Sequence, residues 1–277
     1  LFRPYRAPRR LHAGDAAELD DALAEAVSDQ LLVPDRDGYT FRHALIQEAV
    51  HDELLPGERI GVNAAYAREL QQRVDAGERG IAAQVAEHWL AARDTAHAFD
   101  ATATALAEST ESMTIAASTR PGERLLELWS QVPDAEERVG TPQHQLCLAL
   151  ARDAYDLGEA AQPIRLTQSG LDLCPPDDEL TRAELLALRG KVEQRRAALD
   201  SADALADEAL EILEPRADEH AAQGLLADAL ALRAVMRRGD EQRALYARAV
   251  DLATKSGDAG ALSRSLSNRA AWTEVDD

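Results

Sequence analysis

The chain has 277 residues, of which 45% are apolar but only 4% aromatic, and it carries a formal charge of -20. That length allows two domains, or one domain and a solenoid, while the charge argues against a duplex-binding surface, which needs a basic footprint to displace counterions from phosphates. There is no run of about 18 apolar residues and no secretory leader, so no membrane span is expected, and the acidic, alanine-rich, arginine-over-lysine composition fits a cytoplasmic protein.

Residues 1–12 are basic and proline-containing and read as an irregular lead-in. From Asp15 to Leu32 the pattern is helical, with Leu19, Leu23, Ala26 and Val27 on one face. The period then changes. Leu31-Leu32-Val33, a turn from Pro34 to Gly38, and Tyr39-Thr40-Phe41 predict a short β-hairpin. Ala44 to Leu55 is helical and stops at Pro56-Gly57, and another helix runs to about Val74. Helix, hairpin, helix is the order of a winged-helix module, here without its first helix, over residues 1–75. Such modules commonly read DNA with the helix before the wing. In this chain that helix holds Asp15, Glu18, Asp20, Asp21, Glu25 and Asp29 and no lysine or arginine, so no direct DNA binding is expected.

From Ile81 onward the strand signal disappears. "IAAQVAEHWLAARDTAHAFDATATALAESTESMTIAAS" predicts two helices broken near Asp94, with Val85, Trp89 and Leu90 on an apolar face. Arg120-Pro121 predicts a new helix start, with proline in the first turn and the helix running toward Pro133. Trp129 there reads as core. Three segments then follow, beginning at Thr141, Asp178 and Ala217, each a helix, a short break and a second helix. "AGALSRSLSNRAAW" opens a further unit. Units of roughly 36 to 44 residues lie near the tetratricopeptide period but are longer and irregular. The expectation is an all-α superhelix of antiparallel helix pairs over residues 76–277, with first helices lining a concave side.

Few residues suggest chemistry. Cys147 sits in an apolar helical run and Cys174 precedes Pro175-Pro176, so both read as buried or half-buried thiols rather than a disulfide. No histidine pair has zinc-ligand spacing with a third ligand close in sequence, so no metal site is expected. Asp20-Asp21 and Asp177-Asp178 fall near helix starts or on polar faces, which the helix dipole explains. No nucleophile-and-base pattern emerges, and no enzyme site is expected. Arg189 in "LALRG" and Arg233 in "LALRA" share a local context, and Arg152 and Arg233 each precede a glycine by six residues. On first helices, Arg152, Arg189 and Arg233 would offer a positive strip to an anionic ligand in the groove.

Two stretches carry a resemblance. "DGYTFRHALIQEAVHDELLPGER" resembles the end of the winged-helix region in large ATP-binding regulators of the LuxR type, which belong to the STAND class of signal-transducing ATPases. "AAQVAEHWLAARD" followed by "RLLELWSQVPDAEE" is similar to the opening of their helical-repeat sensor region. The resemblance implies the order ATPase, winged helix, repeats and DNA-binding output, of which this chain would hold the middle. The phosphate loop G-x-x-x-x-G-K-[ST] is absent from the sequence, so a fragment is expected, with no cofactor of its own and ATP or ADP held by the full-length protein. Many STAND proteins have a Met-His-Asp-like motif at this corner, whose histidine approaches the β-phosphate of ADP. "FRHAL" puts Arg42 and His43 at the corresponding place, with Ala44 where the aspartate would stand. The implied partners are the upstream ATPase domain and an inducer, small molecule or protein, in the repeat groove. Alternatives are a free-standing helical-repeat adaptor, or the middle of an ATPase-repeat protein with kinase or cyclase output.

Overall fold

The computed structural model describes residues 16–35, 38–111 and 115–273. It is an all-α chain of helices packed in adjacent pairs, with one small antiparallel hairpin near the start. Two compact units are present. One comprises residues 1–112 and 127–133, and the other residues 113–126 and 134–277.

In the first unit, α1 (Ala16–Ser28) leads into β1 (Leu32–Asp35) and β2 (Gly38–Phe41), then α2 (Ala44–Glu53) and α3 (Pro56–Asp75). Leu19, Leu23, Ala26 and Val27 are the half-buried residues of α1 among those described, which is the face expected from the 3.6 period. The helix ends earlier than Leu32 because Gln30 takes a left-handed φ of 61° and Leu31 N–H closes back on the Ala26 carbonyl. The hairpin pairs Leu32 with Phe41 and Pro34 with Tyr39. Proline cannot donate to a ladder, so it suits this two-stranded edge.

The first unit continues from α3 into the helical pairs. Helix α3 packs on α4 (Ala82–Ala91), which pairs in turn with α5 (Thr95–Glu111). Tyr66 of α3 meets His88 edge-on at 4.5 Å, and His88 Nδ1 lies 2.9 Å from Asn63 Oδ1. Burial lowers the His88 pKa and favours its neutral form. Trp89 is buried, stacked on His97 at 4.6 Å, while Phe99 meets Trp129 edge-on at 5.9 Å. Trp89 is therefore core, as its apolar period indicates, while Trp129, read as core from the sequence, is half-buried at the edge of the same cluster.

The second unit contains most of α6 (Ile115–Leu128), the short α7 (Ala135–Val139), and the pairs α8 (Gln143–Asp156) with α9 (Gln162–Leu173), α10 (Glu179–Arg195) with α11 (Leu199–Leu213), and α12 (His220–Val235) with α13 (Gly239–Ser256). It closes with α14 (Ala259–Thr273). Pro121 does not start a helix. It lies inside α6, which gives up one backbone hydrogen bond there. Packing overrides the proline: Ser118 Oγ donates to Asp153 Oδ2 at 2.7 Å, and Gly122 sits so close to α8 that a β-carbon would meet Leu150 Cδ2 at 2.3 Å. Beyond Leu128 the chain tightens into a 3-10 turn, Trp129–Gln131, rather than continuing as α-helix.

Successive first helices begin at Gln143, Glu179, His220 and Ala259, in step with the roughly 36-to-44-residue unit expected. Tight breaks within pairs rest on left-handed residues: Gly158 between α8 and α9, Gly239 at the start of α13, and Ala197, without glycine's freedom, between α10 and α11. First helices α10 and α12 are buried on several faces because each touches its own second helix and the first helices on either side. Leu226, Leu230, Leu213, Leu186 and Tyr246 anchor one continuous core through these pairs.

Candidate functional site

The first helices of the second unit line a concavity of about 510 Å³. Its walls follow a single helical face. On α10 they are Glu184, Ala187, Leu188 and Lys191, and on α12 they are Ala221, Gly224, Leu225 and Asp228. Both sets read i, i+3, i+4, i+7, the spacing of side chains stacked on one side of a helix. Arg152, Tyr155 and Asp156 come from α8, with Asp258 before α14 and Arg264 on it. Gly224 keeps the wall low, and a β-carbon there would meet only ordinary contacts, the nearest 3.5 Å away at Asp258 Oδ2.

The charges are arranged as a network. Asp228 on α12 accepts from Lys191 Nζ on α10 at 2.8 Å and from Arg264 on α14, whose Nη2 lies 3.0 Å from Oδ2 and whose Nε lies 3.1 Å from Oδ1. One carboxylate thus ties three first helices. Burial alone would raise the Asp228 carboxyl, but the Lys191 ammonium and the Arg264 guanidinium outweigh it and hold it below its ordinary value. Arg152 bonds to Glu184 across α8 and α10. Its pKa is lowered by burial first and by the Arg264 charge second. Asp258 is occupied as a cap, accepting from the backbone N–H of Gly260 at 2.7 Å and of Ala261 at 3.0 Å. The wall carries four carboxylates against three cations, so it is mixed in sign rather than positive.

A scan against protein-family models and a search of curated proteins both give no match.

The positive strip expected of Arg152, Arg189 and Arg233 does not form. All three lie on first helices, but only Arg152 lines the groove. Arg189 Nε donates to Glu193 Oε1 at 2.9 Å and its Nη1 to the Ile164 carbonyl of α9 at 2.9 Å, while Arg233 Nη1 pairs with Asp207 Oδ1 of α11 at 2.6 Å. Both therefore face second helices. The reason is angular: groove positions 184, 187, 188 and 191 share one face, and a residue one step past 188 is rotated by about 100°. The same offset separates 233 from 228 continued by four. Lys191 and Asp228 hold equivalent places in consecutive repeats, and the sequence reading missed both. Extending the 3.6 period outward from Arg152 through Tyr155 and Asp156 would have found the face.

His43 stands where the sequence put it, the residue before α2, in extended conformation with φ −134° and ψ 140°. Its side chain makes no capping bond to the helix. Arg42 beside it is exposed, and its backbone N–H donates to the Leu31 carbonyl at 2.9 Å, closing the hairpin against the corner. The corner is thus held by backbone bonding, and both side chains are exposed. Cys147 and Cys174 are free and buried, as expected, and burial pushes the Cys147 thiol up to about 11. One cluster escaped the sequence reading: His144, Cys174 and Asp178 place one potential ligand atom each within 4.8 Å of the others. Sequence spacing hid them, since the fold of one helix pair brings His144 back to the turn that holds the other two. Among the described residues, no helix is long and apolar enough to cross a membrane.

Proposed function

We propose that this chain is the signal-sensing and protein-interaction part of a LuxR-type, STAND-class transcription regulator, non-catalytic in itself, working in the cytoplasm. Its repeat groove receives the inducer. The single observation that supports this reading is the concavity of about 510 Å³ walled by α8, α10, α12 and α14, a volume in the range that holds a small molecule or a few residues of a peptide. The mixed wall favours a ligand with both donors and acceptors over a simple anion, because every groove cation already has a carboxylate beside it. Such a ligand would exchange partners with Arg152, Glu184 and Arg264, whose side chains remain partly exposed. Since those residues stand on three different first helices, binding would draw the helices together, and a change in helix spacing is a physical route to the ATPase. His43 and Arg42 would meet the nucleotide phosphate only in the full-length protein, where ATP or ADP is the cofactor.

Filling the groove tests the proposal. Gly224→Phe projects a ring into the concavity from a position with room for a β-carbon. In the full-length regulator this variant is expected to fold and to keep basal output, but to lose the response to the stimulus that induces the wild type. A normal response from a folded variant would remove the groove from signalling.

A further inference from the structure

We propose that His144, Cys174 and Asp178 form a binding site for one divalent transition-metal ion of the zinc class. The three donors come from three consecutive pieces of structure. His144 is the second residue of α8, Cys174 is the C-cap of α9, and Asp178 is the N-cap of α10. Between the last two runs Pro175-Pro176-Asp177, and its prolines limit the backbone freedom of the turn.

The geometry suits such an ion. His144 Nε2 lies 2.8 Å from Asp178 Oδ2, and all three ligand atoms fall within 4.8 Å of one another. Around tetrahedral zinc, with bonds of about 2.0–2.3 Å, donor atoms sit about 3.3–3.8 Å apart. The imidazole–carboxylate edge must open by about half an ångström, and the sulfur edges need close by no more than about 1.5 Å. Asp178 can ligate without giving up its structural role. Its Oδ1 accepts the Thr181 N–H at 3.2 Å, which caps α10, and its Oδ2 faces the cluster. The cap then becomes the outer support that orients a ligand. Gln145 stands beside the same oxygen, its side-chain amide 3.3 Å away, and the amide turned over would present an oxygen as a fourth ligand. Otherwise water completes the set.

The donor chemistry selects the ion. A thiolate, a neutral imidazole and a carboxylate sum to a charge of about −2 that a divalent ion cancels, and sulfur with nitrogen prefers zinc-class metals over magnesium or calcium. Without a cation the thiol is held protonated. Its sulfur lies 3.5 Å from the Asp178 carbonyl oxygen and 3.7 Å from that of Pro175, either of which can accept its one hydrogen. On binding, the thiol proton leaves to solvent, the imidazole nitrogen facing Asp178 gives up any proton it holds, and the metal takes their place. The ion then links α8, the first helix of one pair, to the turn that begins the next first helix, α10. Glu184 and Lys191 of the groove stand on α10.

Titration of the untagged, metal-free full chain with cobalt(II), followed by optical absorption, tests this. The expected result is one equivalent bound, with a thiolate-to-cobalt charge-transfer band, intense tetrahedral visible bands and displacement by zinc. Cys174→Ser should abolish the charge-transfer band, His144→Gln should weaken binding at least ~tenfold, and Cys147→Ser should change neither. As a second readout on the wild type, zinc should shield the Cys174 thiol from alkylation in mass spectrometry. No thiolate band at several equivalents of cobalt, a band that survives Cys174→Ser, or an alkylation rate indifferent to zinc would each overturn the proposal.

Discussion

Replacing Asp228 with asparagine removes the one charge that holds Lys191 and Arg264 together while keeping the side chain's size. A fully buried ion pair that loses one partner costs about 3–5 kcal/mol, and a fully exposed one costs at most about 1 kcal/mol. Asp228 and Lys191 are 15% and 23% exposed, so their bond lies toward the buried end, whereas Arg264 is 52% exposed and has Asp258 and Asp156 nearby to soften its loss. Asparagine still offers a carbonyl oxygen to one donor. The expected loss is therefore about 2 kcal/mol, or a fall in thermal midpoint of about 4–8 °C for a domain of this size. Urea unfolding followed by circular dichroism at pH 7 measures it. The cost should depend on pH in a definite sense. The Asp228 carboxyl is held below its ordinary value in the folded chain, so its contribution is complete above the unfolded value and is lost as pH falls through the folded one. Wild type and variant should therefore begin to converge as pH falls below about 4, and meet only below the lowered folded value. A Lys191→Met and Asp228→Asn double-mutant cycle should show a coupling of about 1 kcal/mol. A variant within about 0.5 kcal/mol of wild type at pH 7 would refute the view that this carboxylate ties the first helices together.

Three other outcomes are expected. Ala197→Gly should stabilise the chain by about 0.5–1 kcal/mol in the same urea assay, because Ala197 holds a left-handed φ of 60° in the α10–α11 turn that glycine adopts without strain. Duplex DNA should show no mobility shift with sub-micromolar protein at ~150 mM salt, since α1 offers Glu18, Asp20, Asp21 and Glu25 and no cation. In the full-length protein, His43→Ala should speed ADP release measured with a fluorescent nucleotide and should raise basal output, if the exposed imidazole at the α2 corner meets the phosphate.

The features readable from the sequence were those set by apolar burial. The period of Leu19, Leu23, Ala26 and Val27 gave the α1 face, and the change of period at Leu31 gave the hairpin, because buried apolar groups repeat with the geometry of the element that buries them. The helix pairs followed in the same way. Pro121 misled because a local preference was outweighed by distant packing, the contact of Gly122 with Leu150 and of Ser118 with Asp153. The groove was harder to see for a related reason. Its face joins Lys191, Glu184 and Asp228 to Ala187 and Leu225, a mixture with no apolar period of its own, so matching the contexts of Arg189 and Arg233 found two residues on the wrong side of their helices. The His144, Cys174 and Asp178 cluster has no local signature at all, since only the folding of α8 and α9 brings its members together.

Amide-resolved NMR of the chain with a library of dipeptides and small polar molecules tests the sensing role most directly. The account predicts that at least one compound shifts amides on the groove face of α8, α10, α12 and α14 together, in the neighbourhood of Tyr155, Leu188, Gly224 and Arg264, and that Gly224→Phe abolishes those shifts. Binding confined to the outer faces of α9, α11 and α13, with the groove amides unmoved, would contradict it.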